Sequence, residues 1–211
     1  MSKIIIFGAG GRLGRLAIQE AQGRGHQITA AVRDPARHED LATAAVRVAR
    51  ADATDAESVA AVSAGHDAAI ASLYQDVVPH DVFYADATQG LLDGLARSAV
   101  GRLLVVGVAA NLETEQGVRI MDDPGFPAEH RPFALGHTVA LHLLRASRSP
   151  VDWLMLTPPI RFTADAPRTG RYRCGGDRVL AESLSYADFA VALIDEIETP
   201  TQHRTRIAVA D

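Results

Sequence analysis

Residues 3–14 read KIIIFGAGGRLG, and this segment predicts a buried strand, a glycine-rich turn and a helix in direct succession. Gly8 permits a tight turn out of the strand, and Gly10 or Gly11 lets backbone N–H groups approach an anionic ligand. Gly14 allows the new helix to pack close against the sheet. Because no Gly-Lys-Ser/Thr follows, the segment is not a phosphate loop of the Walker type. The spacing predicts instead that a dinucleotide pyrophosphate binds at this turn.

The helix that starts at this turn strengthens the prediction. A helix N-terminus offers unpaired N–H groups and the positive end of the helix dipole, and both favour a phosphate. Arg12 adds a positive charge within the turn itself. The turn residues that we expect to contact the cofactor are Gly8, Gly10, Gly11, Arg12, Leu13 and Gly14.

Outward from the turn, short β-branched runs alternate with Ala- and Leu-rich stretches along the chain. The predicted strands are 3–7, 28–32, 46–49, 68–72, 103–106, 153–157 and 206–209. The predicted helices are 12–23, 35–42, 56–63, 80–98, 132–147 and 185–198. Strands that are apolar throughout are typical of a sheet covered on both faces. The pattern therefore predicts one Rossmann-like α/β domain over residues 1–211, a doubly wound parallel sheet with helices on both faces.

Two segments rich in proline interrupt this alternation, residues 111–131 and residues 158–177. Long regular helices or strands are unfavourable in them, because proline lacks the N–H donor that both structures need. Each segment follows the C-terminal end of a predicted strand, and ligands of open parallel sheets bind outside these ends. We therefore expect both segments to form loops around a substrate cleft.

The composition excludes several classes of protein. The chain has 211 residues, a net charge of −5 and a hydrophobic fraction of 47%, as in ordinary globular proteins. The negative charge argues against a broad nucleic-acid-binding surface. A single cysteine, Cys174, allows no internal disulfide, and the histidine spacing indicates no metal site. The apolar runs are too short for a signal peptide or a membrane span, so we expect a cytoplasmic protein that binds neither membranes nor nucleic acids.

The end of the second strand indicates which nucleotide is bound. Proteins that bind NAD place a carboxylate there for the ribose hydroxyls, whereas this chain has Arg33, with Arg37 one helical turn later. An arginine suits a 2′-phosphate through a bidentate, charge-assisted contact, and Arg12 is placed to reach the same group. Asp34 is interpreted as the cap of the next helix, before Pro35. The predicted cofactor is NADP(H).

Later strand ends supply further predicted contacts. A carboxylate after the third strand accepts from an adenine amino group, and small residues after the fourth strand let the chain pass over the nicotinamide ribose. Prolines after the sixth strand leave backbone carbonyls for the nicotinamide amide. The cofactor contacts expected from these segments are Asp52, Ala53, Ala71, Ser72, Leu73, Val106, Gly107, Pro158 and Pro159. A planar substrate is expected against Tyr74, Val108, Phe126 and Phe162.

Together these residues resemble the atypical short-chain dehydrogenase/reductase superfamily, in the small NAD(P)H-binding branch that includes the NmrA-like proteins and flavin reductase/biliverdin-IXβ reductase. The resemblance spans almost the whole chain. It rests on the glycine spacing and on the segments 32–34, 51–55, 103–107, 137–145, 153–160, 169–172 and 185–190. It implies a Rossmann-like fold and an NAD(P)H cofactor, and it leaves the substrate undefined.

The chain departs from the superfamily's pattern at the catalytic positions. Members typically carry Ser or Thr after the fifth strand and Tyr-x-x-x-Lys on the next helix. Here residues 106–111 carry no hydroxyl, and Phe133 and His137 stand at the Tyr and Lys positions. Phe133 has no proton to donate. The flavin reductase relatives also place a histidine in this helix, so the resemblance implies that His137 is the catalytic residue and a cofactor contact.

These features favour an NADPH-dependent reductase that passes hydride to a flavin, a quinone or a related carbonyl. Such an acceptor needs mainly positioning, because its product anion is delocalised. Two alternatives remain open. One is a non-catalytic NADP(H)-binding sensor, which the missing Ser, Tyr and Lys favour. The other is a non-redox isomerase, dehydratase or cyclase on the same fold. The expected partner is a small planar molecule, bound by a monomer or a homodimer.

Overall fold

The computed structural model describes residues 1–180 and 183–211 and places an eight-stranded sheet at the centre of the molecule. The strands of the chain are β1 (Lys3–Phe7), β2 (Gln27–Val32), β3 (Val46–Arg50), β4 (Ala68–Ala71), β5 (Arg102–Val106), β6 (Asp152–Thr157), β7 (Arg161–Thr163), β8 (Arg173–Gly175), β9 (Ser183–Ser185) and β10 (Thr205–Ala210). The sheet order is β3-β2-β1-β4-β5-β6-β10-β8. All neighbours pair in parallel except β10 and β8, which pair antiparallel at one edge.

Helices cover both faces of this sheet. They are α1 (Arg12–Gly23), α2 (Ala56–Ser63), α3 (His80–Arg97), α4 (Arg131–Ala146) and α5 (Tyr186–Glu198). In β1, Ile4 and Ile6 pack in one hydrophobic cluster with α1 and α5, whereas Ile5 and Phe7 pack in another with α2, α3 and α4. A strand buried on both faces has no polar positions, which explains its continuous apolar run. The predicted doubly wound α/β fold is confirmed.

The strand order creates a crevice beside the first strand. β1 pairs with β2 on one side and with β4 on the other, so consecutive connections leave the sheet in opposite directions. In open α/β sheets, ligands bind at such a point, outside the C-terminal ends of the strands. The glycine turn that follows Phe7 lies at this point.

The segment after β2 differs from its prediction as an α-helix over residues 35–42. It is a 3₁₀ helix, Pro35–Leu41, and its helical dihedral angles are broken at His38, where φ is −137° and ψ is 24°. Asp34 precedes the helix, but its side chain makes no capping hydrogen bond there. Pro35 begins a helix without favouring either type, so the local sequence could not distinguish them.

The segment 158–177 also differs in part from its prediction as irregular. It contains β7 and β8, and β7 pairs in parallel with β9 in a separate two-stranded sheet. Strands of three residues pair mainly through their backbones, and they are too short to show a side-chain period. Residues 111–131 contain no longer element than three-residue 3₁₀ turns at Ile120–Asp122 and Ala128–His130, in agreement with the prediction.

Side-chain contacts fix the second half of segment 158–177 against α1 and α5. Arg168 forms an ion pair with Glu20 of α1 at 2.8 Å. The backbone N–H groups of Thr169 and Gly170 both donate to Asp188 of α5, at 2.8 and 2.7 Å. This half of the segment therefore lies on the face of the sheet that carries α1 and α5.

Among residues 1–180 and 183–211, no helix combines the length and the apolar character needed to cross a membrane.

Candidate functional site

A cleft with a volume of about 270 Å³ lies at the C-terminal ends of β1, β2, β3 and β4. Its wall combines the glycine turn with the residues that follow the other three strands. The predicted cofactor and substrate residues that line it are Gly8, Gly10, Gly11, Arg33, Asp52, Ala53, Ser72, Leu73 and Tyr74. The structure thus brings together residues that are separated by up to 66 positions in the chain.

Gly8 joins the glycine turn to the end of β4. Its φ of +79° lies in the left-handed region, and a Cβ atom there would lie 2.0 Å from the carbonyl oxygen of Ser72. Its own carbonyl accepts from the N–H of Gly11 at 3.0 Å, which closes the turn. A residue with a side chain would be strained by its backbone and would also collide with the neighbouring strand end.

The other three glycines of the turn differ in what surrounds them. A Cβ atom on Gly10 would lie 2.3 Å from the ring of His38, and one on Gly14 would lie 2.3 Å from the carbonyl oxygen of Gly8. A Cβ atom on Gly11 would approach only that carbonyl, at 3.4 Å. Backbone contacts therefore require glycine at position 14, whereas a side chain at position 10 would displace the His38 ring. Position 11 is open, as an approach path for a ligand would require.

The start of α1 presents positive potential to this cleft. Gly11 caps the helix without a side-chain hydrogen bond, and the first turn contains no acidic residue. The N–H groups of a first helical turn have no partner within the helix. Leu13 and Gly14 contribute such backbone groups, although the Leu13 side chain lies in the hydrophobic core.

The three predicted arginines are exposed and lie at different positions around the cleft. Arg33 lines it, whereas Arg12 and Arg37 are outside the lining. Among the residues that the structure describes, no carboxylate lies within ion-pair distance of Arg33, Arg12 or Arg37. Arg33 therefore has its charge available at the end of β2.

Local hydrogen bonds order the segment after β3. One carboxylate oxygen of Asp52 accepts from both the N–H and the hydroxyl of Thr54, at 2.9 and 2.7 Å. Asp55 caps α2 by accepting from the N–H of Glu57 at 3.0 Å, as expected for a helix cap. Asp52 lines the cleft, and its other carboxylate oxygen accepts no hydrogen bond from the part of the chain that the structure describes.

Six residues of the cleft lining were not among the predicted contacts, and they are Phe7, Ala31, Val32, Ala51, His38 and Phe83. His38 reaches it from the 3₁₀ helix and Phe83 from α3. An ion pair between Arg15 and Asp40 also supports the cleft, because Arg15 donates a second hydrogen bond to the carbonyl of Gly10 at 3.2 Å. This pair lowers the pKa of the Asp40 carboxyl group. These contacts join segments that no local sequence pattern relates.

The ends of β5 and β6 approach each other beyond the cleft lining. The N–H of Gly107 donates to the carbonyl of Leu156 at 2.7 Å. A Cβ atom on Gly107 would lie 2.6 Å from the hydroxyl oxygen of Thr157, which is fully buried. Ala71 at the end of β4 and Val106, Pro158 and Pro159 at the ends of β5 and β6 are predicted cofactor residues that also lie outside the cleft lining. Of these, Ala71, Pro158 and Pro159 are buried.

His137 lies in a cluster of rings that we call the aromatic cluster and define as Tyr74, His80, Tyr84, Phe133 and His137. Its ring lies 4.2 Å from that of Tyr84 and 4.7 Å from that of Phe133, measured between centroids. It is 4% exposed, and its Nδ1 is buried without a hydrogen-bond partner. Burial, with a smaller contribution from His80, lowers the pKa of His137 to about 3.

Two residues account for the close packing of the aromatic cluster. A Cβ atom on Gly136 would lie 2.6 Å from the Tyr84 ring, so a glycine at this position lets α4 approach α3. The Tyr84 hydroxyl donates to the carbonyl of Leu73 at 2.8 Å and so fixes the loop after β4. Tyr74 belongs to both the aromatic cluster and the cleft, and it connects them.

The four predicted substrate-wall residues occupy three separate places. Tyr74 is 64% exposed and lines the cleft. Val108 and Phe126 pack against the small hydrophobic group around Met121. Phe162 stacks on Tyr186 at 3.8 Å between ring centroids, on the side of α1 and α5.

A search of residues 1–180 and 183–211 for three or more His, Cys, Asp or Glu side chains that could share a metal ion finds no such group.

Comparison with known proteins adds a family. The profile of the family described as NAD(P)H-binding matches residues 8–200, which include the glycine turn and all five helices. A solved structure provisionally named an exported protein, from Burkholderia pseudomallei, is 32% identical over 100% of both chains, with a TM-score of 0.88.

Two further solved structures carry provisional names that differ in chemistry. One, from Bacteroides thetaiotaomicron, is named as an epimerase. It is 30% identical and covers 99% of this chain and 96% of its own, with a TM-score of 0.89. The other, from Streptococcus pneumoniae, is named as an NADH-flavin reductase. It is 28% identical over 100% of both chains, with a TM-score of 0.84.

Proposed function

The chain belongs to the NAD(P)H-binding family, and we propose that it is an NADPH-dependent reductase that transfers hydride to a planar conjugated acceptor such as a flavin or a quinone. The observation that carries the proposal is the cleft beside β1. No side chain covers the backbone of Gly11 there, and no carboxylate of the described residues pairs with Arg33. A similar protein that is named as an NADH-flavin reductase supports the choice of acceptor.

Each part of the cleft suits one part of the cofactor. The open backbone at Gly11 and the first turn of α1 suit the pyrophosphate, because both offer N–H groups. Asp52 and Ala53 suit the adenine, whereas Ser72 and Leu73 suit the nicotinamide ribose. When bound, NADPH supplies the hydride. The protein's contribution is to hold the cofactor and the acceptor in contact.

NADPH is the proposed cofactor because of the charge at the end of β2. A 2′-phosphate placed there would meet Arg33, which no protein carboxylate neutralises among the described residues. NADH would leave that arginine without an anionic partner. A charge-assisted hydrogen bond contributes roughly 1.5–3 kcal/mol, which corresponds to a preference of about 10- to 100-fold.

The acceptor is proposed to be conjugated because the protein offers little acid catalysis. Phe133 replaces the usual tyrosine, and the only tyrosine hydroxyl in the centre of the aromatic cluster, on Tyr84, already donates to a backbone carbonyl. A flavin or quinone delocalises the charge that hydride transfer creates, so solvent can complete the protonation. The exposed ring of Tyr74 and that of Phe83 offer flat apolar surface beside the cleft.

His137 is proposed to hydrogen-bond the nicotinamide ribose or the acceptor as a neutral ring. Its pKa of about 3 leaves it without an imidazolium proton near neutral pH. General acid catalysis is typically worth about 10²–10⁴-fold, whereas a neutral hydrogen bond contributes about 0.5–1.5 kcal/mol. We therefore expect His137→Gln to lower turnover by about tenfold or less, without loss of a limb in the pH profile near neutrality. A hundredfold fall in turnover, together with loss of that limb of the pH profile, would show that His137 is the general acid.

The proposal is tested by anaerobic oxidation of NADPH, followed at 340 nm, against a panel of flavins and quinones. We expect turnover with at least one acceptor and a lower rate with NADH under the same conditions. Tight NADPH binding without turnover of any acceptor would contradict the reductase and favour an NADP(H)-binding sensor.

A non-redox reaction is the second candidate, and a 30% identical protein that is named as an epimerase favours it. An epimerase that uses NADP(H) transiently regenerates it, so it shows no net oxidation at 340 nm. Turnover of sugar-like or other stereogenic substrates without net NADPH loss would support this alternative. The cytoplasmic location and the monomeric or homodimeric state stay predictions.

A further inference from the structure

His38 occupies a position that the glycine turn leaves free for it. Three atoms of its imidazole ring lie within 2.8 Å of the place where a Cβ atom on Gly10 would stand. Any other residue at position 10 would displace this ring. Gly10 is therefore explained by its contact with His38, and this leaves Gly11 as the glycine that is open to a ligand.

The ring of His38 has hydrogen-bonding capacity that the protein does not use. His38 lines the cleft together with Arg33. Its Nδ1 is buried and has no hydrogen-bond partner among residues 1–180 and 183–211. A buried polar group without a partner is unfavourable in a folded protein, so its presence beside a ligand cleft indicates a use.

The segment that carries His38 is attached to the glycine turn by a side-chain contact. The helical dihedral angles are broken at His38 itself, within the 3₁₀ helix Pro35–Leu41. Two residues later, Asp40 pairs with Arg15, and Arg15 also donates to the carbonyl of Gly10. The segment that carries His38 is thus joined to the turn that its ring contacts.

His38 occupies the place in the cleft lining that was predicted for Arg37. Arg33 and Arg37 were expected to share the 2′-phosphate, but only Arg33 lines the cleft. His38, the residue after Arg37, lines it instead. An imidazole ring donates one hydrogen bond when neutral and two when charged, so it can bind a phosphate oxygen next to a guanidinium group.

We infer that His38 is a specificity-determining residue, which binds the 2′-phosphate of NADP(H) together with Arg33. This inference rests on the proposed use of NADPH. It assigns the recognition of the phosphate to a histidine from the 3₁₀ helix and an arginine from the end of β2, with Arg37 outside the site.

The test uses two nucleotides that differ only in the 2′-phosphate, adenosine 2′,5′-bisphosphate and AMP, together with NADPH and NADH. Binding is measured by calorimetry for the unmodified protein and for His38→Leu, His38→Gln and His142→Leu. His142 is exposed and outside the cleft, so His142→Leu is a matched control. Leucine retains the apolar contact with Gly10, and glutamine restores one N–H donor.

We expect His38→Leu to weaken adenosine 2′,5′-bisphosphate and NADPH by about tenfold and to change AMP and NADH by less than about twofold. His38→Gln should recover part of the loss, and His142→Leu should match the unmodified protein. Equal weakening of all four ligands by His38→Leu would overturn the inference, because His38 would then only support the turn. A preference for the 2′-phosphate that His38→Leu leaves unchanged would also overturn it, while the proposed NADPH function would stand. If the unmodified protein shows no preference, the proposed cofactor and this inference both fail.

Discussion

The cleft beside β1 and the aromatic cluster on α3 and α4 are neighbours that share Tyr74, yet their chemistry is opposite. The cleft is open and offers backbone N–H groups and the charge of Arg33. The aromatic cluster is closed, and its central residue, His137, is 4% exposed and keeps an unpaired ring nitrogen. Nucleotide binding in this fold needs backbone N–H groups that a ligand can reach, as at the cleft. The aromatic cluster is instead formed by the packing of rings.

In this fold, backbone groups at the cleft are suited to bind the cofactor, whereas side chains of the aromatic cluster determine the available chemistry. Main-chain groups bind a pyrophosphate in the same way whatever the side chains are, so the glycine spacing is sufficient to predict them. The chemistry of the second region depends on which side chains are buried together, and here burial has removed the charge of His137. We therefore predict that the cleft binds its cofactor tightly and specifically, and that His137 beside it is a weak proton donor.

The largest effect is expected where the glycine turn meets α1. In Gly14→Val, the new Cβ atom would lie 2.3 Å from a carbonyl oxygen and 2.8 Å from the Cα atom of Ala9, and neither backbone atom can easily move. We expect a loss of about 3 kcal/mol in the free energy of unfolding, or roughly 6–12 °C in Tm. Thermal unfolding followed by circular dichroism measures it. A Tm within about 2 °C of the unmodified protein would show that the turn adapts.

A change three residues earlier should separate binding from folding. Gly11 has φ −75° and ψ 169°, which valine can adopt, and its Cβ position is open. We expect Gly11→Val to lower stability by only about 1 kcal/mol, through its poorer helix cap, and to weaken NADPH binding by more than about 100-fold.

Gly23→Val is the matched control for this variant. Position 23 lies at the other end of α1, and a Cβ atom there meets no atom within 4 Å. Calorimetric titration should give an unchanged NADPH affinity for it. An unchanged affinity in Gly11→Val as well would make the turn only structural.

The pH dependence of stability tests the closed region. The ordinary pKa of histidine is about 6.5, and burial lowers that of His137 to about 3. The unfolded chain therefore binds a proton that the folded chain does not. The free energy of unfolding is therefore unaffected by the titration of His137 above about pH 6.5, and it decreases as the pH falls below that value. Between pH 7 and pH 5 the loss is about 2 kcal/mol.

His137→Gln removes this titration. Urea unfolding at pH 7 and pH 5 should show that the variant loses about 2 kcal/mol less than the unmodified protein over this interval. The control is His142→Gln, since His142 is exposed on the same helix. Identical losses in all three proteins would place His137 in contact with water, contrary to the structure.

Arg33→Ala should sharpen the assignment within the cleft. It removes the proposed 2′-phosphate contact from an exposed position, so the fold should be unaffected. We expect NADPH to bind about 10- to 100-fold more weakly and NADH to bind within about twofold of the unmodified protein. Arg37→Ala, at an exposed residue outside the lining, should change either affinity by less than about threefold. The reverse order of effects would exchange the roles of the two arginines.

The fold was predictable because burial on both faces of the sheet leaves a strong signal. β4 is apolar throughout, β1 and β5 are apolar after their first residue, and the helices between the strands carry an apolar face. The short strands β7, β8 and β9 were not predicted, because their pairing uses backbone groups that every sequence provides. The 3₁₀ form of Pro35–Leu41 depends on contacts with the glycine turn, which are distant in sequence.

The sequence predicted only those parts of the cleft that leave a local pattern. Gly8 and Gly11, which line the cleft, followed from the glycine spacing alone. His38 was missed because a histidine between Arg37 and Glu39 shows no pattern, and only the fold brings it to Gly10. The environment of His137 was missed because it depends on the close approach of α4 and α3 at Gly136, which no local signal indicates.

The most direct test of the central claim is an equilibrium titration of the unmodified protein with NADPH and with NADH under identical conditions. We predict that both bind to one site and that NADPH binds about 10- to 100-fold more tightly, because no carboxylate of the described residues pairs with Arg33 and a 2′-phosphate would supply the anion. Equal affinities for the two cofactors, or tighter binding of NADH, would contradict it.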